Sequence, residues 1–214
     1  MLGCSNSAGA PDAAALTAAT DVLTAGGLVV YPTETVYGLG ADAFNPMALE
    51  RVVALKLRAP GKPISVLVSN MEMVSGLACD VPPLAATLMR RFWPGPLTIV
   101  LRARHGVSSL LTGDDDGIGV RMSSHPMATA LVRALGRPIT TPSANPAGQR
   151  PPISVDDARA YFGARVDCYL DGGGLRGEPA STVIDVRAQW KVIRAGAISL
   201  EALQAALPRG ASPW

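Results

Sequence analysis

The fold class predicted for this sequence is α+β in an α/β-like, three-layer arrangement, with a twisted mixed β-sheet carrying helices on both faces. Three observations predict it. Stretches of helical period alternate with short apolar β runs along nearly the whole chain. One connection, 187–189, is hairpin-short, which calls for antiparallel as well as parallel pairing. No repeat or linker interrupts the 214 residues, a length suited to one core. The expected organisation is a flexible tail over 1–10, one domain over 11–208 and a second tail over 209–214.

Taken in order, residues 12–25 carry apolar positions at helical spacing (Leu16, Ala19, Leu23) and stop at Gly26-Gly27, so they predict a helix. Residues 28–31 form an apolar run bounded by glycine and Pro32, a buried strand. A loop is expected from Thr33 to about Asn45. Pro46 opens a helix whose stripe is Leu49, Val52, Val53 and, one turn on, Lys56. Residues 64–68 read as strand, 71–78 and 83–92 as helices. Residues 97–101 form a strand after the Trp93-Pro94-Gly95-Pro96 corner. Strand 118–122, helix 126–135 and a short strand at Ile139-Thr140 follow. Ser154 and Asp157 form a capping box for a helix over 155–162. Three strands (166–170, 182–186, 190–193) and a terminal helix (199–207) complete the pattern.

Composition excludes several classes. Hydrophobic residues are 48% and charged residues 17%, which rules out disorder and coiled coil; the 22 glycines and 18 prolines show no collagen period. Nineteen Lys+Arg against seventeen Asp+Glu leave +2, so no global field draws the chain to nucleic acid or anionic lipid, and any basic site must be local. Three cysteines (Cys4, Cys79, Cys168) without a C-x-x-C pair, and two histidines, fit neither a disulfide framework nor a zinc site. A reducing, cytoplasmic setting is expected. No basic and apolar stretch precedes Cys4 as a signal peptide would require, and no apolar run of about 18 residues predicts a membrane span.

Some motifs fail on context. Gly172 to Gly177 matches G-x-G-x-x-G, but Pro179 and the β-branched run from Thr182 follow where the fingerprint needs a helix, so a glycine-rich turn is expected. There is no G-x-x-x-x-G-K-[ST]. Asp114-Asp115-Asp116 reads as a solvated turn, and His105 and His125 have no triad partners.

Other segments gather polar chemistry at strand ends. Lys56, Arg58 and Lys62 surround a helix end and the Pro60-Gly61 bend. They suit a polyphosphate, with Arg as a planar fork and Lys as a point charge, or they complement the helix dipole; the residues alone leave both open. Tyr31 to Gly40 places hydroxyls and one acid directly after a buried strand, where sheet proteins build ligand crevices. In Thr141-Pro142-Ser143-Ala144-Asn145-Pro146, prolines hold Ser143 and Asn145 extended, with little entropy left to lose. Gly117 to Arg121 and Ser181-Thr182 present similar groups.

Together these blocks resemble the threonylcarbamoyl-AMP synthase (YrdC-like) family, from about Leu28 to Ile198. The resemblance rests on PTETVYGLGADAF (32–44), the Lys56/Arg58/Lys62-Pro63 cluster, RFWPGPLTIVL (91–101), VRMSSHP (120–126), TPSAN (141–145), STVID (181–185) and IRAGAI (193–198). It implies a YrdC-like fold in the short single-domain form. The implied reaction is that bicarbonate and L-threonine form a carbamate, which attacks the α-phosphate of ATP and releases pyrophosphate. It further implies Mg2+ brought with ATP and no metal held by the protein. The implied partners are separate tRNA threonylcarbamoyl transferase proteins, and tRNA itself. By motif position, Lys56, Arg58, Lys62, Gly117, Ser143, Asn145 and Arg194 would face ATP. Thr33, Thr35, Leu67, Arg121, Thr141 and Ser181 would face threonine or bicarbonate, with Lys56, Arg58 and Arg121 catalytic. Two departures from the common pattern are Ala59 before Pro60, where many members read K-x-R-P, and Leu67, where many carry histidine. A non-catalytic RNA- or nucleotide-binding module of the same fold is the alternative, opposed by the small net charge and 5% aromatic content. A third reading keeps the enzyme class and changes the acyl acceptor.

Overall fold

A computed structural model describes residues 3–4, 12–177 and 179–207. The opening helix α1 (Ala13–Thr24) is capped by the Asp12 side chain, which accepts from the Ala14 N–H. It ends ahead of Gly26, whose φ of +81° is left-handed. Helix α2 (Pro46–Lys56) has Asn45 as N-cap and Pro46 in its first turn, as the sequence requires. The Ser154/Asp157 capping box is present on α7 (Val155–Phe162). The remaining helices are α3 (Met71–Leu77), α4 (Pro83–Phe92), α5 (Ser109–Thr112), α6 (Pro126–Leu135) and α8 (Leu200–Ala206). The single turn of α5 gives no periodic signal and is absent from the sequence expectation.

The strands of the described residues form two mixed sheets rather than one. The first, in order β1 (Gly3–Cys4), β8 (Cys168–Leu170), β2 (Val29–Pro32), β3 (Tyr37–Gly40), is parallel except for its last pair. The second runs β10 (Lys191–Arg194), β9 (Thr182–Asp185), β5 (Leu97–Arg102), β6 (Gly117–Arg121), β4 (Val66–Leu67), β7 (Ile139–Thr140). Its β9–β10 hairpin is antiparallel around 187–189, as its length demands. Two expectations change here. Strand β3 falls inside the segment expected to be loop, since YGLG has no alternation to reveal it. Gly3 and Cys4, expected within a tail, pair in parallel with β8; the rest of 1–11 and residues 208–214 lie outside the described residues.

The motif glycines of β3 have a packing cause. In the β2–β3 pair, Tyr31 faces Gly38, and a Cβ at Gly38 or Gly40 would stand 3.0 or 2.9 Å from the Tyr31 ring. The Tyr31 ring therefore packs on the face of β3 that Gly38 and Gly40 leave without side chains. Apolar residues alternate between the two faces of the sheets: Val30 and Val66 join one core with α2, α4 and α7, whereas Val29, Tyr31 and Leu67 join another with α1 and α6. The two sheets are stitched through Thr140, whose Oγ1 donates to Leu39 O (2.8 Å) and accepts from Ala41 N (2.9 Å). This joint sets β3 beside β7 and brings the 33–36 and 141–146 segments to one opening.

Candidate active site

At that opening lies a polar cleft lined by Thr35, Lys56, Arg58, Ser65, Arg121, Thr141, Ser143, Ser181 and Arg194, among others. Four cations converge there, Lys56 and Arg58 from the end of α2 and the turn after it, Arg121 from β6 and Arg194 from β10. Lys56 arrives on the buried stripe of α2 and is 4% exposed. Its Nζ donates to Ser143 O (2.6 Å) and Asn145 O (2.5 Å), while Lys56 O accepts from Ala147 N (2.8 Å), so the 143–147 segment clasps the helix end. Burial, and secondarily the charge of Arg58, pulls the Lys56 ammonium down to about 8.

Leu57 then turns the chain in the left-handed region (φ 47°), rare for a leucine, and it is 75% exposed. The turn aims Arg58 back at the cleft, where its guanidinium is held by the carbonyls of Lys62 (3.1 Å from Nε) and Pro63. Arg194, at the end of β10, donates to Ser181 O (2.8 and 3.1 Å) and Ser181 Oγ (2.9 Å). Burial lowers the pKa of Arg58 and of Arg194, the latter also through the charges of Arg121 and Arg58. These cations repel one another and hold backbone carbonyls in place of acids.

Arg121, at the end of β6, is the exception. Its Nε donates to Gly95 O (3.3 Å), Nη2 donates to Thr35 Oγ1 (3.2 Å), and Nη2 pairs with Glu34 Oε1 at 2.8 Å. Burial alone would push the Glu34 carboxyl up; the Arg121 charge beside it and the hydrogen bond from Ser123 outweigh burial, so the net shift is downward. Ser123 Oγ donates to the other carboxylate oxygen.

Of the thirteen site residues expected from sequence, eight line this cleft: Thr35, Lys56, Arg58, Arg121, Thr141, Ser143, Ser181 and Arg194. Five do not. Lys62 is exposed, and its carbonyl rather than its ammonium serves the site by orienting Arg58. Asn145 spends its amide on Pro146 O (2.9 Å) and Gln149 O (2.7 Å) and supports Lys56 through its carbonyl. Thr33 is buried beneath Thr35, where its Oγ1 accepts from the Thr35 and Val36 N–H groups. Leu67 pairs with Arg121 in register, but its side chain belongs to the apolar core with α1 and α6. Gly117 sits at the far end of β6, where a Cβ would strike Arg187. Sequence reasoning missed Glu34 as a site residue, although it is the one acid in the Tyr31–Gly40 run, and missed Ser65, which no local motif marks.

A larger hollow of about 700 Å3 lies at the opposite end of the same strands, lined by Arg102, Asp115, Asp185 and Arg187 among others. Size does not make it the better site. Arg187 there is already paired with Asp115 (2.8 Å) and Asp185 (2.7 Å). The smaller cleft is the one that gathers four cations with no acid among the residues lining it.

The Sua5/YciO/YrdC family profile, described as telomere recombination, matches residues 21–196. This chain belongs to that family. Within the family it is 39% identical over 181 residues to the threonylcarbamoyl-AMP synthase of Pyrococcus abyssi, covering 84% of this chain and 53% of that one. It is 36% identical over 172 residues to the threonylcarbamoyl-AMP synthase of Marinobacter nauticus, covering 80% of this chain and 90% of the relative. The crystal structure of P. abyssi Sua5 complexed with L-threonine superposes with a TM-score of 0.88 at 36% identity, over 92% of this chain and 58% of that one. The chain thus spans about half of the Pyrococcus protein and most of the Marinobacter protein.

Proposed function

We propose that this chain is an L-threonylcarbamoyladenylate synthase, a nucleotidyltransferase acting on ATP, L-threonine and bicarbonate. The observation that carries the reading is the convergence of Lys56, Arg58, Arg121 and Arg194 on one cleft with Glu34 as the single acid beside them. Such a site favours a ligand with several negative charges. Carbamate formation consumes a threonine ammonium and bicarbonate and yields carbamate, water and a proton. A carbamate oxygen then bonds to the α-phosphorus of ATP as the bond to the β-phosphate bridging oxygen breaks, and pyrophosphate leaves with that electron pair. This chemistry asks for positioning and charge neutralisation more than for an acid–base pair. Lys56, Arg58 and Arg194 take the phosphates; Ser143 lies beside Lys56 on that side. Arg121 takes the threonine carboxylate or carbamate, with Thr35, Thr141 and Ser181 around it. The relatives' shared name and the threonine-bound Pyrococcus structure support the choice of substrates.

Magnesium enters as the ATP complex. Among the described residues no group of three or more His, Cys, Asp or Glu side chains is placed to hold a metal, and the one acid at the cleft is spent on Arg121. The product passes to separate tRNA threonylcarbamoyl transferase proteins in the cytoplasm, with residues 11–208 acting as one catalytic domain and tRNA as the final acceptor. No helix among the described residues is long and apolar enough to cross a membrane. The decisive experiment incubates the protein with ATP, magnesium, bicarbonate and L-threonine, omitting each in turn, and measures pyrophosphate and the mass of the adenylate. Product that needs both threonine and bicarbonate is the expected result. ATP or RNA binding without threonine-dependent turnover would replace this reading with the binding module.

A further inference from the structure

Arg121 must present its guanidinium to a small carboxylate in one orientation, because a planar fork gains its advantage only when both N–H bonds align. Nothing in β6 alone ensures this. A long side chain at a strand end has several rotamers, and a guanidinium only 5% exposed needs a counter-charge to remain in place. Gly95 O and Thr35 Oγ1 engage Nε and Nη2 at 3.3 and 3.2 Å, both neutral and long contacts. The short contact is with Glu34, and Glu34 is itself anchored. Its Oε2 accepts from Ser123 Oγ; that hydroxyl accepts from His125 N (3.1 Å), and Ser123 O accepts from Thr129 Oγ1 (3.0 Å). The anchoring line runs from the start of α6 through Ser123 and Glu34 to Arg121. It leaves Nη1 of Arg121 without an acceptor among the described residues, on a side chain that lines the cleft.

We propose that Glu34 is a positioning residue for amino-acid recognition: held by Ser123 behind the cleft wall, it locks Arg121 in the rotamer that receives the substrate carboxylate. Glu34 itself does not line the cleft, so it acts through Arg121 rather than on substrate. The inference rests on the threonine role of Arg121 in the function proposed above. It separates two effects that a counter-charge could have. A carboxylate that merely neutralised Arg121 would weaken the attraction for an anionic substrate, and its removal would improve binding. A carboxylate that aims Arg121 would do the reverse.

The test is steady-state kinetics of wild type, Glu34→Ala, Glu34→Gln and Ser123→Ala, with threonine and ATP varied separately. Positioning predicts a threonine KM raised about tenfold or more in Glu34→Ala, with the ATP KM within about twofold. It predicts an intermediate rise in Glu34→Gln, which keeps an acceptor for Arg121, and a shift of a few fold in the same direction in Ser123→Ala. An unchanged or lowered threonine KM in Glu34→Ala or Glu34→Gln overturns the proposal, as does an ATP KM that rises in parallel. Should Glu34→Ala fail to fold, Glu34→Gln and Ser123→Ala decide by the same criteria. Wild type without threonine-dependent turnover refutes the functional reading itself, a failure distinct from variants that match an active wild type.

Discussion

Arg121 and Arg187 stand at opposite ends of the same sheet and show two uses of a guanidinium. Arg187 closes a complete structural cluster: Asp185 and Asp115 each pair with it below 3 Å, and its pKa is raised by the hydrogen bonds it donates to both, chiefly to Asp185. Its charge is spent. The cleft cations are held by carbonyls of Ser143, Asn145, Lys62, Pro63 and Ser181, which orient them and cancel no formal charge. Carbonyl-held cations keep their attraction for an anionic substrate, and the cost of burying them, with mutual repulsion added at Lys56 and Arg194, appears as the lowered pKa values of Lys56, Arg58 and Arg194. Arg121 is intermediate, paired with Glu34 yet open on one nitrogen.

The comparison can be broken most sharply at Lys56. Lys56→Ala is expected to lower kcat/KM for ATP by roughly 10²–10³, the scale of losing one preorganised charge-stabilising donor; normal ATP kinetics would return Lys56 to a helix-end role. Next, Arg121→Ala should raise the threonine KM by about 100-fold, because it truncates one partner of a buried charge pair. An unchanged threonine dependence would remove Arg121 from that site. Arg187→Ala should do the converse. It strands the buried Asp185 and costs about 2–3 kcal/mol of stability, somewhat under a fully buried pair because Arg187 is partly exposed. ATP and threonine KM values below the melting range should stay within about twofold. A large rise in ATP KM would reinstate Gly117, which packs on Arg187, as part of the ATP site.

Smaller effects sharpen the same contrast. Lys56 is protonated below about 8 and loses its charge as the pH rises through that value. Because kcat/KM reports the free enzyme, kcat/KM for ATP should fall above about pH 8, and a profile flat to pH 10 would contradict the buried ammonium. Finally, Leu57→Gly should relieve the left-handed leucine and raise stability by about 0.5–1 kcal/mol, read as a Tm increase of a few degrees. Any accompanying rise in ATP KM would show that the stiffness of this turn aims Arg58.

Much of this was legible in the chain itself, and the reasons differ by element. Helices α1, α2 and α7 carry apolar stripes and N-caps, and α1 and α7 glycine stops, that act within a few residues, so their ends agree with expectation to within one or two positions. Lys56 could be singled out because a charge continued an apolar stripe. Strand β3 was not legible, because its glycines exist to seat the Tyr31 ring of another strand and carry no alternation of their own. The five expected site residues that do not line the cleft share one feature. Motif position tells that Thr33, Lys62, Leu67, Gly117 and Asn145 belong to the neighbourhood, but which atom of each serves the site depends on chain packing around it.

The sequence by itself determined the mixed α/β pattern, the near-zero net charge and the local clustering of cations at the end of α2, since propensity, periodicity and capping are short-range. Only the tertiary structure decided that there are two sheets stitched at Thr140, that backbone carbonyls hold the cleft cations, and that Glu34 stands behind Arg121 instead of in the cleft. Those outcomes depend on contacts between residues separated by scores of positions, such as Glu34 with Arg121 and Lys56 with Ser143, and no local rule along the chain records which pairs the fold will bring together.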